Sequence, residues 1–327
     1  MNIIRPYEKV KYNNNLLRPK MMSWDITRKC NMKCMHCFNN SGDSKFHDFD
    51  NELSMEEMLN VGNQIVELKP EQCCLCGGET LLNKYVFDII RILSNGNILV
   101  NIVSNGLLLT ESVAKKLKTS GINNVQISVD GLGYQHDKFR NMDGAFKKAI
   151  QALTNLKKCN INSMVSFCPN TLNYKYFENY VSYMNDIGCT NIRMMPLLPL
   201  GRGKLNFSKL LLTSNQTFEF VQKLTYLRAK YPNITFEWGD PIEHLVLVLT
   251  NKNKCPNTMG ILSNGDLSVT PYIPIIVGNV REKTLMEYWY GGYNKIWRNP
   301  DILNIIKKVK TVNDLESLSS FSYNFNL

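Results

Sequence analysis

Short apolar runs alternate with longer stretches of helical periodicity between residues 21 and 200. The runs are rich in β-branched residues and have the length of buried strands, whereas the stretches between them repeat apolar positions at helical spacing. This alternation is typical of βα units wound around a parallel sheet. Six strands are predicted, over residues 21–27, 72–76, 98–104, 124–129, 162–168 and 191–197.

Two helices between these strands carry start signals. Ser54 is followed three positions later by Glu57, which predicts a capping box, and Thr110 directly precedes the helical segment ESVAKKL. Six strands are too few for a closed eight-stranded barrel, so the predicted fold class is α/β with a partial, open (β/α)6 barrel. Ligands of such sheets bind beyond the carboxyl ends of the strands.

The alternation stops after the segment Gly201-Arg202-Gly203. A helix around 217–230, a strand ITFEW, a hairpin ILSNGDLSV and a helix around 284–297 predict a small α+β appendage. The predicted organisation is an extension over 1–20, a barrel domain over 21–205, a C-terminal region over 206–312 and a tail over 313–327. Because the tail is rich in Ser and Asn, we expect it to be frayed.

Composition narrows the class of protein. The 327 residues are 44% hydrophobic and 20% charged, as in a folded globular chain. No apolar run approaches the roughly 20 residues of a membrane span, and the N-terminus lacks a signal-peptide pattern, so a cytoplasmic location is expected and no membrane partner. The net charge of +10 fits an anionic partner or simply a solvated basic surface. We expect no nucleic acid.

Three of the ten cysteines crowd into one loop after the first strand. Cys30, Cys34 and Cys37 have C-x3-C-x2-C spacing. A structural zinc site uses four ligands, whereas three thiolates on a cubane [4Fe–4S] cluster leave one iron open to bind something else. His36 is a possible fourth ligand for zinc, but its position next to Cys37 makes simultaneous ligation awkward. The cluster is therefore the favoured interpretation.

This cysteine motif, followed by Phe38 and later by Gly77-Gly78-Glu79, resembles the radical S-adenosylmethionine (SAM) superfamily. Thr80 stands where that family usually has proline. The resemblance implies that the open iron binds SAM and that SAM is cleaved reductively to a 5′-deoxyadenosyl radical, which abstracts hydrogen from a substrate. It also implies that the two glycines let the backbone approach the ligand, and that Glu79 helps to hold the methionine ammonium group.

Further segments resemble the branch of the family that modifies peptides and proteins. They are Ser104-Asn105-Gly106 and the run from Ser128 through Asp130 to Arg140. By resemblance, Ser104, Ser128 and Arg140 contact the carboxylate or ribose of SAM, with Asn105 and Asp130 in the same binding set. Taken singly, Asp130 also fits an ordinary strand-ending turn and Arg140 a surface charge.

The sixth strand runs into Met195, Leu197 and a Gly-Arg exit that is similar to that of related enzymes. By resemblance, Met195 and Leu197 contact the adenine of SAM. As an alternative, methionines in this position are core filler.

The C-terminal region resembles a SPASM or twitch extension, which usually binds auxiliary clusters through further cysteines. Tyr272 stands where that pattern has cysteine, and no cysteine follows Cys255. A cluster needs several thiolates, so a single cluster is expected. Cys255 is interpreted either as a buried vestigial thiol or as a catalytic hydrogen-atom donor. Cys73, Cys74 and Cys76 lie on the second strand, where buried thiols are expected and a redox role is the lesser alternative.

The resemblance implies an oxidoreductase or isomerase-type radical enzyme that matures a ribosomally made peptide or protein, by epimerisation, crosslinking or a related step. A flavodoxin- or ferredoxin-type donor would supply the electron. Two alternatives stay open: a radical SAM enzyme for a sugar, a nucleoside or a tetrapyrrole intermediate, and a non-catalytic scaffold that keeps an iron–sulfur site.

Overall fold

A computed structural model of the chain describes residues 17–250, 256–318 and 323–324. Cys255 therefore lies outside the described residues. The strands form one sheet in the order β11-β10-β9-β8-β1-β2-β3-β4-β5-β6-β7. Their bounds are β1 Met21–Thr27, β2 Gln72–Gly77, β3 Leu99–Ser104, β4 Asn124–Ser128, β5 Asn162–Phe167, β6 Asn191–Met194, β7 Thr235–Trp238, β8 Thr258–Ile261, β9 Asp266–Ser268, β10 Ile275–Asn279 and β11 Tyr323–Asn324.

Helices connect the parallel strands and continue through the C-terminal region. Their bounds are α1 Met55–Leu68, α2 Val86–Asn95, α3 Glu111–Thr119, α4 Tyr134–Arg140, α5 Ala145–Lys158, α6 Phe177–Asp186, α7 Gly201–Leu210, α8 Ser214–Lys230, α9 Pro241–Thr250, α10 Leu285–Gly291, α11 Pro300–Ile306 and α12 Asp314–Leu318. The predicted capping box at Ser54 and Glu57 is confirmed, and Thr110 caps α3. Among the described residues, no helix is long and apolar enough to cross a membrane.

The predicted parallel sheet is confirmed, and it has two strands more than the sequence indicated, β7 beside β6 and β8 beside β1. Strands β1 to β6 coincide with the six predicted strands, except that β2 is one residue longer and β3 to β6 are shorter at one end. The segment ITFEW, predicted as part of the appendage, contributes β7, which pairs in parallel with β6. Two helices, α7 and α8, separate β6 from β7, just as α4 and α5 separate β4 from β5.

The other edge of the sheet receives the C-terminal region. Strand β8 pairs in parallel with β1, and β8 and β9 form the predicted antiparallel hairpin. The expectation of a frayed tail is wrong for residues 314–318, because they form α12. Leu315 and Leu318, at helical spacing, are both buried in the core. The domain boundary at residue 205 stays a prediction.

The two faces of the barrel sheet differ in polarity. On β1, Met22, Trp24 and Ile26 are fully buried, whereas the alternate residues Ser23 and Asp25 are only partly buried. The same alternation continues along the sheet, so one face packs against the helices and the other is polar. The partly buried residues of this polar face, which we call the lumen face, include Cys74, Cys76, Asn101, Gln126, Ser166 and Arg193.

Candidate active site

The three clustered cysteines lie in the loop that leaves the carboxyl end of β1, and all three thiols are free. A hydrogen bond of 2.8 Å from the Gly42 amide to the Arg28 carbonyl closes this loop. Gly42 has a positive φ of 79°, and a Cβ there would lie 2.8 Å from the Cys30 carbonyl oxygen. The fold of the loop therefore needs glycine at this position.

Burial raises the pKa of two of these thiols. It raises the pKa of Cys30 to about 11. It also raises the pKa of Cys34, against the opposing effect of the Arg140 guanidinium, whose Nη1 lies 3.8 Å from the sulfur. Thiols with such pKa values are protonated at neutral pH, so they must release protons when they become metal ligands.

Gly77 and Gly78 bring the end of β2 against the cysteine loop. A Cβ at Gly77 would lie 2.1 Å from the Thr27 carbonyl oxygen, and one at Gly78 would lie 2.1 Å from the Lys29 carbonyl oxygen. The Gly78 amide donates to the Thr27 carbonyl at 2.7 Å. Gly77 and Gly78 are therefore required because the backbone of the cysteine loop lies against them. Their predicted approach to a ligand stays a prediction.

Glu79 lies behind the wall of the site. Its side chain is fully buried, and its carboxylate accepts hydrogen bonds from the Ser104 hydroxyl at 2.9 Å, the Asn105 amide at 2.7 Å and the Leu81 amide at 3.1 Å. Burial raises its pKa. Thr80, in place of the family proline, donates to the Val103 carbonyl at 2.7 Å. Both residues tie β2 to β3.

One cavity of about 220 Å³ opens at the carboxyl ends of the parallel strands. All of the predicted site residues line it except Glu79, which lies behind the wall, and Cys255, which the structure does not describe. The predicted residues that line it are Cys30, Cys34, Cys37, Phe38, Gly77, Gly78, Ser104, Asn105, Ser128, Asp130, Arg140, Met195 and Leu197.

Asp130 and Arg140 form a buried ion pair in the cavity wall, where the separation of Nη2 and Oδ2 is 2.5 Å. Burial disfavours the charge of Arg140, but Asp130 and Cys34 raise its pKa above the usual value. Asp130 also accepts from the Cys168 amide at 2.7 Å, and its own amide donates to Nδ1 of His136 at 3.0 Å. Arg140 is therefore part of the cavity wall and not a surface charge.

Arg202 is a cavity residue that the sequence did not single out. Its Nε donates to the Cys34 carbonyl at 3.0 Å and its Nη2 to the Ser41 carbonyl at 3.1 Å. Its backbone amide donates to the Cys37 carbonyl at 2.8 Å. Gly201 has a φ of 52°, and a Cβ there would lie 2.5 Å from that same carbonyl oxygen. The only sign of this role in the sequence was the Gly-Arg-Gly segment itself. In the structure this segment holds the cysteine loop from the far side of the cavity.

The donor set of the cavity fits a cluster with one open iron. Within the described part of the chain, no three His, Cys, Asp or Glu side chains are grouped so as to hold a single metal ion. The His36 ring stacks on Phe139, with ring centroids 4.0 Å apart and planes 6° apart. Three thiols around one cavity match the three corners of a cubane that protein thiolates occupy.

The remaining sequence candidates lie elsewhere. Tyr272 is buried and hydrogen-bonded to Nδ1 of His244, so it is part of the packed C-terminal region. Cys73 is fully buried, whereas Cys74 and Cys76 belong to the lumen face.

Comparison with known proteins decides the family. The model of the radical SAM superfamily matches residues 24–184, which include the cysteine loop and strands β2 to β5. The chain belongs to the radical SAM superfamily. As a radical SAM enzyme it is expected to bind a [4Fe–4S] cluster and SAM, and the donor set described above fits that cluster.

Two curated relatives and one solved structure show how this radical SAM enzyme compares with others. It is 25% identical to the AdoMet-dependent heme synthase of Methanosarcina barkeri, over 83% of this chain and 82% of that protein. It is 22% identical to the mycofactocin maturase MftC of Mycolicibacterium smegmatis, over 98% of this chain and 81% of that protein. The structure of Streptococcus suis SuiB bound to S-adenosylmethionine superposes with a TM-score of 0.69 at 13% identity, covering 97% and 78% of the two chains.

Proposed function

We propose that this enzyme cleaves SAM reductively at a single [4Fe–4S] cluster held by Cys30, Cys34 and Cys37, and that it modifies a peptide at the mouth of the cavity. The observation that carries the proposal is the cavity itself. It gathers the three free thiols and the residues expected to face SAM at the carboxyl ends of the parallel strands. When bound, the cluster and SAM supply one-electron cleavage of a sulfonium and hydrogen abstraction from the substrate.

The protein's own part is to hold and orient these groups. Backbone at Gly78 would receive the methionine ammonium group, and Ser128 and Arg140 would receive the SAM carboxylate or ribose. Met195 and Leu197 would contact the adenine. The Asp130 carboxylate positions the Arg140 guanidinium, because it fixes both Nε and Nη2.

Glu79 acts in this proposal as a positioning residue. Its carboxylate fixes the Ser104 hydroxyl and the Asn105 backbone, and both of these residues line the cavity. A buried carboxylate with three donors in fixed geometry gives the wall of the SAM site little freedom to move.

The peptide substrate is supported by the similarity to a maturase over nearly the whole chain. The similarity to a heme synthase supports a second candidate, a tetrapyrrole substrate. Either substrate would approach SAM through the opening of the cavity at the carboxyl edge of the sheet.

The test is anaerobic reconstitution with iron and sulfide, followed by SAM and dithionite. We expect about four irons per chain and formation of 5′-deoxyadenosine and methionine. Cys34→Ala should lose the bound iron and the formation of 5′-deoxyadenosine. Cys159→Ala should keep both properties, because Cys159 is a partly buried thiol at the end of α5. Wild-type protein that binds zinc, or that forms no 5′-deoxyadenosine, would refute the proposal.

Formation of 5′-deoxyadenosine also tests which class of substrate the enzyme uses. Addition of a short peptide encoded beside the gene should increase 5′-deoxyadenosine formation and alter the mass of the peptide. An increase with iron coproporphyrin III and none with the peptide would establish the second candidate instead.

A further inference from the structure

Arg193 carries a positive charge on the lumen face, below the cavity. It lies on β6, in register with Ser166 of β5 and Glu237 of β7. Its neighbours along the strand, Ile192 and Met194, are fully buried on the opposite face. Because side chains alternate along a strand, the Arg193 side chain belongs to the polar face of the sheet.

Among the residues that the structure describes, this guanidinium has no carboxylate partner. Within residues 17–250, 256–318 and 323–324, Arg193 makes no hydrogen bond and no ion pair, and its Nε is buried without a partner. The lumen carboxylate of Asp25 is already paired with Arg28 at 2.7 Å. Glu237, next to Arg193 in register, accepts instead from the Asn191 side chain at 3.0 Å. A partly buried charge without a partner costs free energy that an incoming anion would recover.

The charge of Arg193 acts across the lumen. A hydrogen bond from Cys76 lowers the pKa of Cys74 on β2, burial opposes this, and Arg193 lowers it further. Three strands separate β2 from β6 in the sheet. The positive charge of Arg193 is therefore felt on the lumen face of a strand that is not its neighbour in the sheet.

The cavity reaches the strand next to Arg193. Ser166 and Gln126 line the cavity on its sheet side, and Ser166 is the register neighbour of Arg193. The Ser166 hydroxyl lies 3.5 Å from that of Ser128, which also lines the cavity. A polar row thus leads from the proposed SAM site toward Arg193.

We propose that a substrate entering from the mouth of the cavity places a carboxylate on the lumen face, where Arg193 binds it. A guanidinium presents parallel N–H groups that match a carboxylate, and it binds more strongly where water is excluded. The inference rests on the proposed function. It names the chemical group that both candidate substrates share, which is a carboxylate. An acidic side chain or C-terminus of a peptide and a propionate of a tetrapyrrole carry the same group.

The experiment uses the reconstituted holoenzyme with SAM and propionate as the probe. Ligand-observed NMR should detect saturable propionate binding that weakens about ten-fold in Arg193→Gln. Propionamide, which has the same shape without charge, should show no dependence on residue 193. Arg91→Gln is the matched control, because Arg91 is exposed and pairs with Asp88 at 2.9 Å. Arg193→Lys keeps the charge and should retain part of the affinity.

Equal propionate affinity in wild type and Arg193→Gln would overturn the inference, as would the absence of saturable binding in wild type. A parallel loss of SAM affinity in Arg193→Gln would also overturn it, because Arg193 would then belong to the cofactor site. Failure of the proposed function is a separate result, since wild-type protein would then form no 5′-deoxyadenosine. Displacement of propionate by coproporphyrin III or by an acidic peptide identifies the source of the carboxylate.

Discussion

The carboxylate of Glu79 accepts a hydrogen bond of 2.9 Å from the Ser104 hydroxyl, and this contact joins the ends of β2 and β3 behind the cavity. The same carboxylate holds the Asn105 amide, and the glycines before it pack on the cysteine loop. The polar residues of the second and third strand ends thus form one connected wall. Changes at Glu79 are expected to affect ligand binding without any direct contact with the ligand.

Replacing Glu79 by alanine should weaken SAM binding and destabilise the protein. Three buried donors would lose their acceptor, which corresponds to about 3 kcal/mol in the free energy of unfolding. Glu79→Gln keeps one carbonyl oxygen and should cost about 1 kcal/mol. Urea unfolding of both variants measures the loss of stability, and SAM titration measures the loss of SAM affinity. Both losses should be larger in the alanine variant. Unchanged SAM affinity in the alanine variant would show that the wall does not depend on this residue.

Local patterns predicted the barrel strands because each of β1 to β6 is a short apolar run followed by a helix of regular period. The segment of β7 was predicted as a strand, but its parallel pairing with β6 was not, because a local pattern does not encode which strand a segment pairs with. The cysteine trio and most of the cavity wall were predictable because they occupy carboxyl ends of neighbouring strands. Arg202 was not, because its bond to Cys34 spans 168 positions and no local spacing encodes it.

The predicted role of the paired glycines was also incomplete for a physical reason. A glycine pair signals that some backbone or ligand approaches closely, but the sequence does not say which. The structure shows that Thr27 and Lys29 are the approaching groups. Likewise, a Gly-Gly-Glu segment does not reveal whether the carboxylate faces the cavity or, as for Glu79, the next strand.

Gly78→Ala should displace the cysteine loop. The new methyl group would lie 2.1 Å from the Lys29 carbonyl oxygen, and backbone cannot yield as a flexible side chain does. We expect a loss of about 2 kcal/mol in unfolding free energy and reduced iron content after reconstitution. Gly291→Ala is the control, because a methyl group at that exposed helical position meets no atom within 4 Å. Equal iron content in the two variants would contradict the prediction.

Arg202→Lys should leave the fold intact but loosen the cluster. Lysine cannot reproduce the fork that holds the carbonyls of Cys34 and Ser41 together. Loss of a residue that orients metal ligands commonly costs about ten-fold in metal affinity, so we expect iron release to a chelator to be about ten-fold faster. Absorbance of the reconstituted protein during EDTA treatment measures this rate. Arg91→Lys, on the surface, should release iron at the wild-type rate.

Protonation of His136 in the unfolded chain should lower the stability of the folded protein at mildly acidic pH. Burial, assisted by the nearby Arg140 charge, lowers the pKa of His136 from 6.5 to about 3. The unfolded chain therefore binds a proton that the folded chain excludes, so stability is complete above pH 6.5 and is lost as pH falls from there toward 3. For this one group, the expected loss between pH 7 and pH 5 is about 2 kcal/mol.

The His136→Asn variant separates this contribution from others. Asparagine retains an acceptor for the Asp130 amide, which donates to His136 at 3.0 Å, but it does not titrate. His244, whose pKa burial lowers to about 4, is present in both proteins and contributes equally. Urea unfolding at pH 7 and pH 5 should show that the variant loses about 2 kcal/mol less than the wild type over this interval. Parallel losses in the two proteins would mean that the native state accommodates a proton on His136, and the Asp130–Arg140 pair would then have to rearrange around it.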